Sequence, residues 1–277
     1  MSRLSILTPN SLANLRRPTS SAPMRLLVSV RDADEARVAI AAGVEVIDVK
    51  EPSRGSLGRA DDETLREIAD AVQGRAILSF AAGEAIDRRD SGSIVSDASA
   101  LARSGYALFK YGPAGLGRRD DWREVLSDAW RSTAPGASPI AVAYIDYEAA
   151  TAPSPEAIVE LAIESGCFGM LFDTFGKAPR LGLTALPYAR LRSCIAKARD
   201  AGLLVSLAGS LGIDDVADAR LLQADVVAVR GAVCTGDRAS RIDANRIAAL
   251  QEAIARDAAS FVEFDAEANG TSSKDRA

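Results

Sequence analysis

The stretch RLLVSVRDADEARVAIAAGVEVIDVK, residues 25–50, decides the fold. It opens on a short apolar, β-branched run, Arg25–Val30, and passes through an amphipathic segment, Asp34–Ala42. Gly43 stops that segment, and a second apolar run follows over Val46–Lys50. Runs of this length bounded by polar or glycine residues read as buried strands, and apolar residues at helical spacing read as a helix. Strand, crossover helix and parallel strand together make a βαβ unit.

The same unit recurs to the end of the chain. Further strands are expected at Ala76–Phe80, Ala107–Tyr111, Ile140–Tyr144, Gly169–Asp173, Leu203–Ala208 and Val226–Arg230. Helices are expected at Asp62–Val72, Val95–Arg103, Trp122–Arg131, Pro155–Ser165, Leu186–Ala201, Asp214–Leu222 and Asp243–Ile254. Pro155 behind Ser154 is an N1 proline behind its cap, and Gly43, Gly105, Gly166 and Gly202 stand as C-terminal stops. Eight such units in one chain predict a TIM (β/α)8 barrel, an α/β fold in a single domain. A doubly wound sheet is the alternative, but no GxGxxG follows the first strand. The barrel is placed at residues 24–257. Residues 1–23, with Arg3, Arg16 and Arg17 and no acidic residue, read as a disordered extension or as sequence upstream of a true start at Met24. Residues 258–277 read as a disordered tail.

Composition narrows the function. A net charge of −5 argues against a nucleic-acid partner, and no apolar run suits a membrane span. Cys167, Cys194 and Cys234 have no metal-ligand spacing, so no metal site and a reduced, cytoplasmic setting are expected. A homo-oligomer is compatible with the sequence, which does not fix the oligomeric state. The chain contains no histidine, which removes histidine bases, Ser-His pairs and His-ligated zinc together. Of 33 basic residues only Lys50, Lys110, Lys177, Lys197 and Lys274 are lysine. Arginine holds its proton, whereas a desolvated lysine can become an amine nucleophile, so the retained lysines are the place to look.

Barrel active sites are built at the carboxyl ends of the strands. Lys50 closes the second strand, Lys110 nearly closes the fourth, and Lys177 follows Asp173 at the end of the sixth. A single strand-end lysine is more often a solvated side chain, but three of five on one rim point to a site. Asp48 and Lys50 are two apart and share a face, so an inward Asp48 needs a partner that a nearby lysine supplies. Asp48 is then either a structural ion-pair member or a direct participant in chemistry. Crowded ammonium groups also lower one another's pKa. Such a site suits phosphate or aldehyde substrates, or both. The loops Ala208-Gly209-Ser210 and Arg230-Gly231-Ala232 offer phosphate contacts, as does Ser56 in the loop 51–58. Glycine after a strand also simply makes a turn, so these signals are weak singly.

Taken in order, several motifs resemble the (5-formylfuran-3-yl)methyl phosphate synthase family of methanofuran biosynthesis. They are Asp48-Val49-Lys50-Glu51-Pro52, Gly55-Ser56-Leu57-Gly58, Phe109-Lys110-Tyr111-Gly112, Met170-Leu171-Phe172-Asp173-Thr174 with Lys177, Leu207-Ala208-Gly209-Ser210, and Val229-Arg230-Gly231-Ala232-Val233-Cys234 with Arg241-Ile242-Asp243. The resemblance runs from about Met24 to Ile254, although the Phe175-Gly176 linker before Lys177 departs from the family pattern. It implies a lyase that joins two glyceraldehyde 3-phosphate molecules into a furaldehyde phosphate, losing phosphate and water. It further implies a Schiff base on Lys50, proton transfers by Asp173 and Lys177, and Lys110 in the same site, with no metal or organic cofactor. Another class I aldolase, a pyridoxal-phosphate enzyme and a non-catalytic phosphometabolite-binding barrel are the rival readings.

Overall fold

The computed structural model describes residues 12, 15, 24–87, 105–131, 137–176 and 182–256. The expected helix Val95–Arg103, as well as Lys177 and Lys274, lies outside the described residues. Eight parallel strands close on themselves: β1 (Arg25–Val30), β2 (Val46–Val49), β3 (Ile77–Glu84), β4 (Tyr106–Gly112), β5 (Ser138–Tyr144), β6 (Gly169–Asp173), β7 (Leu204–Leu207) and β8 (Val226–Val229). Each pairs with its sequence neighbour, and β8 pairs with β1 to seal the barrel, Val28 standing beside Val229. The expected barrel is therefore the observed one.

The described helices alternate with these strands. They are α1 (Ala33–Ala41), α2 (Asp62–Val72), α3 (Trp122–Arg131), α4 (Pro155–Glu164), α5 (Tyr188–Asp200), α6 (Val216–Leu221) and α7 (244–256). Ser154 caps α4 by accepting from the Ala157 N–H at 3.3 Å, with Pro155 in the first turn. The anticipated glycine stops after α1, α4 and α5, together with Gly105 ahead of β4, all take positive φ. Boundaries differ mainly at β3, which runs four residues beyond its expected end because Ala81 to Glu84 continue to pair with β4 across a register shift. None of the described helices is long and apolar enough to cross a membrane.

Strand alternation sorts the core into two. Val28, Val30, Ile47, Val49, Phe80, Phe109, Met170, Phe172, Val205 and Leu207 face the helices and form the larger cluster. Leu27, Val46, Ile77, Leu108, Ile140, Leu171, Leu204 and Val226 form the inner one. Each fully buried aliphatic side chain contributes roughly 1.5–3 kcal/mol. Leu12 and Leu15, ahead of the barrel, are helical, and Leu15 is buried against the inner cluster. Beyond the inner apolar residues the inward positions change character, to Ser29, Asp48, Ser79, Lys110 and Ser206, all buried. Small side chains cannot fill the barrel there, and a cavity of about 540 Å³ opens.

Candidate active site

Lys50 lies just past the last residue of β2, its backbone N–H still donating to Val30 O of β1 at 3.2 Å. Alternation from Val46 and Asp48 turns it inward, and it lines the cavity. Asp48 is 3% exposed, and its partner is not Lys50 but Lys110, reached from β4 across the barrel interior. Lys110 Nζ donates to Asp48 Oδ1 at 2.5 Å and to Ser79 Oγ at 3.1 Å. Ser79 Oγ donates to Asp48 Oδ1 at 2.7 Å, and Ser29 Oγ to Oδ2 at 3.4 Å. A buried ion pair needs further hydrogen bonds to offset desolvation, and the serines on β1 and β3 supply them. The inward Asp48 carboxylate has the lysine partner its burial calls for, and that lysine is Lys110. The Asp48–Lys110 pair thus lies in the cavity wall below Lys50.

Asp173 ends β6 and faces the same cavity. Its Oδ1 accepts from the Thr174 N–H at 2.8 Å. Ser56 Oγ lies 3.4 Å from Asp173 Oδ2 and donates to Thr174 O at 3.1 Å. Ser56, a candidate phosphate contact by sequence, is buried behind the cavity lining, and its hydroxyl supports the Asp173 turn. Behind Asp173 stand two residues that the sequence reading missed. The Tyr144 hydroxyl, within hydrogen-bonding reach of Ser56, donates to Glu84 Oε1 at 2.7 Å, and the Ala114 N–H donates to Glu84 Oε2 at 3.0 Å. A third is Asp146, whose oxygens accept from the Phe175 and Gly176 N–H groups at 2.6 and 2.8 Å. Asp146 thereby anchors the turn that leads to Lys177. Only Glu84 carries a signal, as a carboxylate at a strand end, and it becomes visible once β3 is seen to run past Phe80.

Burial pushes the Glu84 carboxyl up from 4.5, the nearby Asp87 and Asp173 adding to the rise while the Tyr144 and Ala114 donors oppose it. A carboxyl whose folded pKa exceeds its unfolded one contributes stability that is fully present below the unfolded value. That contribution is lost as pH rises through the folded value. Wild-type thermal stability should therefore fall from pH 4.5 upward relative to Glu84→Gln, whose profile lacks this slope. Parallel melting profiles for the two proteins over that range would show that Glu84 is not the group responsible.

The third wall is built from the loops after β7 and β8. Gly209, Ser210 and Gly231, the candidate phosphate contacts of these loops, all line the cavity. Gly209 takes φ +103°, and a Cβ there would meet Thr174 Cγ2 at 2.8 Å and Thr174 N at 3.0 Å, so only glycine fits. Ser210 also has positive φ, at 60°, a strained conformation for a non-glycine residue at the cavity edge.

Arg230, also a candidate phosphate contact by sequence, is held on every side by the protein. Its Nη1 donates to Glu35 Oε2 and Ser29 O, both at 2.9 Å. Nη2 donates to Glu35 Oε1 and Ser240 O, both at 3.2 Å, and Nε to Arg238 O at 2.6 Å. A guanidinium has five N–H groups, and all five are directed at protein acceptors. Arg230 is a strut between α1 and the loop 234–242, with no donor left for a phosphate. Its partner Glu35 is buried in the first turn of α1, where the sequence shows only another acidic N-terminal residue. Lys197, expected on a solvated helix face, is indeed exposed and paired with Glu160 at 2.7 Å.

The structure thus brings Lys50, Asp48, Lys110 and Asp173 to one cavity with the β7 and β8 loops. An amine able to attack a carbonyl and a carboxylate able to take a proton face the same space. Comparison with known proteins gives this arrangement relatives. A family model described as 4-HFC-P synthase matches residues 26–251. A protein of Methylorubrum extorquens is 35% identical over 236 residues, covering 85% of this chain and 93% of that one. The (5-formylfuran-3-yl)methyl phosphate synthase of Archaeoglobus fulgidus is 30% identical over 236 residues, 83% of this chain and 99% of the other. Among solved structures, 3-hexulose-6-phosphate synthase from Salmonella typhimurium superposes with a TM-score of 0.54 at 17% identity, over 84% of this chain and 100% of that one. Tryptophan synthase from M. tuberculosis does so with a TM-score of 0.55 at 13% identity, over 93% and 98%. At these identities the structural likeness speaks to the barrel alone.

Proposed function

Because the chain belongs to the 4-HFC-P synthase family, we propose that it condenses two molecules of glyceraldehyde 3-phosphate into (5-formylfuran-3-yl)methyl phosphate, a step of methanofuran biosynthesis. In this reading it is a carbon–oxygen lyase with a class I aldolase type of mechanism, and Lys50 is the Schiff-base lysine. The observation that carries it is Lys50 at the open end of β2, facing the cavity above a second lysine that a carboxylate already holds.

The Lys50 amine attacks the aldehyde carbon of one triose phosphate and water leaves, giving a protonated imine. The imine draws electrons from the adjacent carbon, and Asp173 takes the proton released there, leaving an enamine. Enamine carbon attacks the second aldehyde, and elimination, ring closure and hydrolysis of the imine return Lys50. The balance is one phosphate and two waters lost from two trioses. Lys177 and Lys110 share the remaining proton transfers. Gly209, Ser210 and Gly231 receive phosphate through their backbone N–H groups. No step calls on a metal or an organic cofactor.

Borohydride trapping tests the reading. The protein is incubated with glyceraldehyde 3-phosphate, reduced, digested and mapped by mass spectrometry. A reduced triose adduct on the Lys50 peptide, with furaldehyde phosphate formed in the untrapped reaction, is the expected result. An adduct without the furan product would instead mark a class I aldolase on another sugar phosphate. No adduct on a folded, triose-binding protein would end the Schiff-base reading.

A further inference from the structure

The loop after β8 is more elaborate than a barrel turn requires. A short turn, Gly231–Val233, leads into a segment closed by an antiparallel bridge between Cys234 and Ile242, with the Thr235 N–H donating to Arg241 O at 2.9 Å. Asp237 Oδ1 accepts from the Ala239 N–H, the Ser240 N–H and Ser240 Oγ at 2.9, 3.1 and 3.1 Å. Two arginines hold the crown from outside. Arg230 binds the carbonyls of Arg238 and Ser240, and Arg31 Nη1 donates to Ala239 O at 2.6 Å. The backbone of Arg238 is therefore fixed, and its side chain lines the cavity beside Asp237 and the Gly209–Gly212 turn.

What Arg238 does there is not explained by the protein. Its guanidinium is half-buried and makes no hydrogen bond or ion pair among the described residues, whereas Arg230 beside it satisfies every N–H it has. Burial, and then the Arg230 charge, disfavour its cationic form, with only the Asp173 carboxylate and the Cys234 thiol acting the other way. A partly desolvated guanidinium with no ion-pair or hydrogen-bond partner among the described residues is a costly arrangement, and a hydrogen-bonded loop holds it there. In the lining of the same cavity, the N–H groups of Gly209, Ser210 and Leu211 likewise have no acceptor among the described residues. Planar guanidinium donors and convergent backbone N–H groups are the two usual halves of a phosphate receptor.

We propose that Arg238, supported by the loop 234–242, is the charged half of a receptor for the phosphate monoester of the substrate, the N–H groups of Gly209, Ser210 and Leu211 forming the other half. This rests on the proposed function for the substrate's identity but not for the anion's chemistry. It also moves the role expected of Arg230 eight residues on: Arg230 fixes the loop, and Arg238 meets the ligand.

The test compares wild type with Arg238→Ala and Arg238→Lys. With inorganic phosphate as probe, wild type should show a concentration-dependent rise in melting temperature that Arg238→Ala largely loses, while melting without phosphate is alike in both. In turnover, Arg238→Ala should raise KM for glyceraldehyde 3-phosphate about tenfold to a hundredfold, the cost of a lost hydrogen bond to a charged group, with a smaller change in kcat. Arg238→Lys should recover part of that loss. Trapping of unphosphorylated glyceraldehyde on Lys50 should not change. If wild type traps the triose but Arg238→Ala keeps its KM and its response to phosphate, the receptor assignment is overturned and the proposed function stands. If wild type neither traps nor converts the triose, the proposed function fails, and the phosphate melting experiment still decides the role of Arg238.

Discussion

Lys50→Ala should lower furaldehyde phosphate formation by about 10⁴-fold or more, as removal of an essential nucleophile does in other covalent catalysts. The loss should fall on kcat, because no covalent route remains once the amine is gone. Stability should change little, since Lys50 is only partly buried, beyond the last paired residue of β2. Melting temperature and phosphate response therefore report that the variant is folded and its cavity intact. A variant that keeps more than about a tenth of the wild-type rate would place the imine on another lysine. Lys110 is a poorer candidate, because Asp48 and Ser79 already hold its amine.

Lys110→Met should be the most destabilising single change at the site. It leaves the Asp48 carboxylate buried at 3% exposure with two serine hydroxyls and no cation. Removing one partner of a buried ion pair costs about 3–5 kcal/mol, against a total stability of about 5–15 kcal/mol for a typical domain. The urea midpoint should drop accordingly with little change in slope. Replacing both partners, as in Asp48→Leu with Lys110→Met, should recover much of the loss, since an apolar pair of similar volume carries no desolvation penalty. A single variant as stable as wild type would show that Asp48 takes up a proton or a water instead. Activity should fall in both the single and the double variant, which separates the role of the pair in the cavity from its role in stability.

The barrel was legible because its evidence is local. The run from Val46 to Lys50, the segment from Asp34 to Ala42 and the Pro155 start of α4 each carry their own periodicity or cap within a dozen residues. That Lys50 and Asp173 close strands is equally local, and the barrel then requires both to stand at its catalytic end. The absence of histidine and the scarcity of lysine point to amine chemistry from composition alone. The family resemblance added an expected substrate, which no periodicity encodes.

Partners across the barrel were beyond the sequence's reach. Asp48 meets Lys110 rather than Lys50, 62 residues away, because both side chains point inward from strands separated by only one other. Glu35 meets Arg230 across 195 residues because β8 closes against β1. Glu84 entered the neighbourhood of Asp173 only because β3 runs on past Phe80. Sequence alone thus determined the elements, their order and the strand ends at which Lys50 and Asp173 stand, since strand and helix periods are set by nearest neighbours along the chain. Which charges cancel one another and which remain for a ligand, Arg230 or Arg238, was decided only by tertiary structure, because ion pairs and desolvation depend on distances in space that closing the barrel creates.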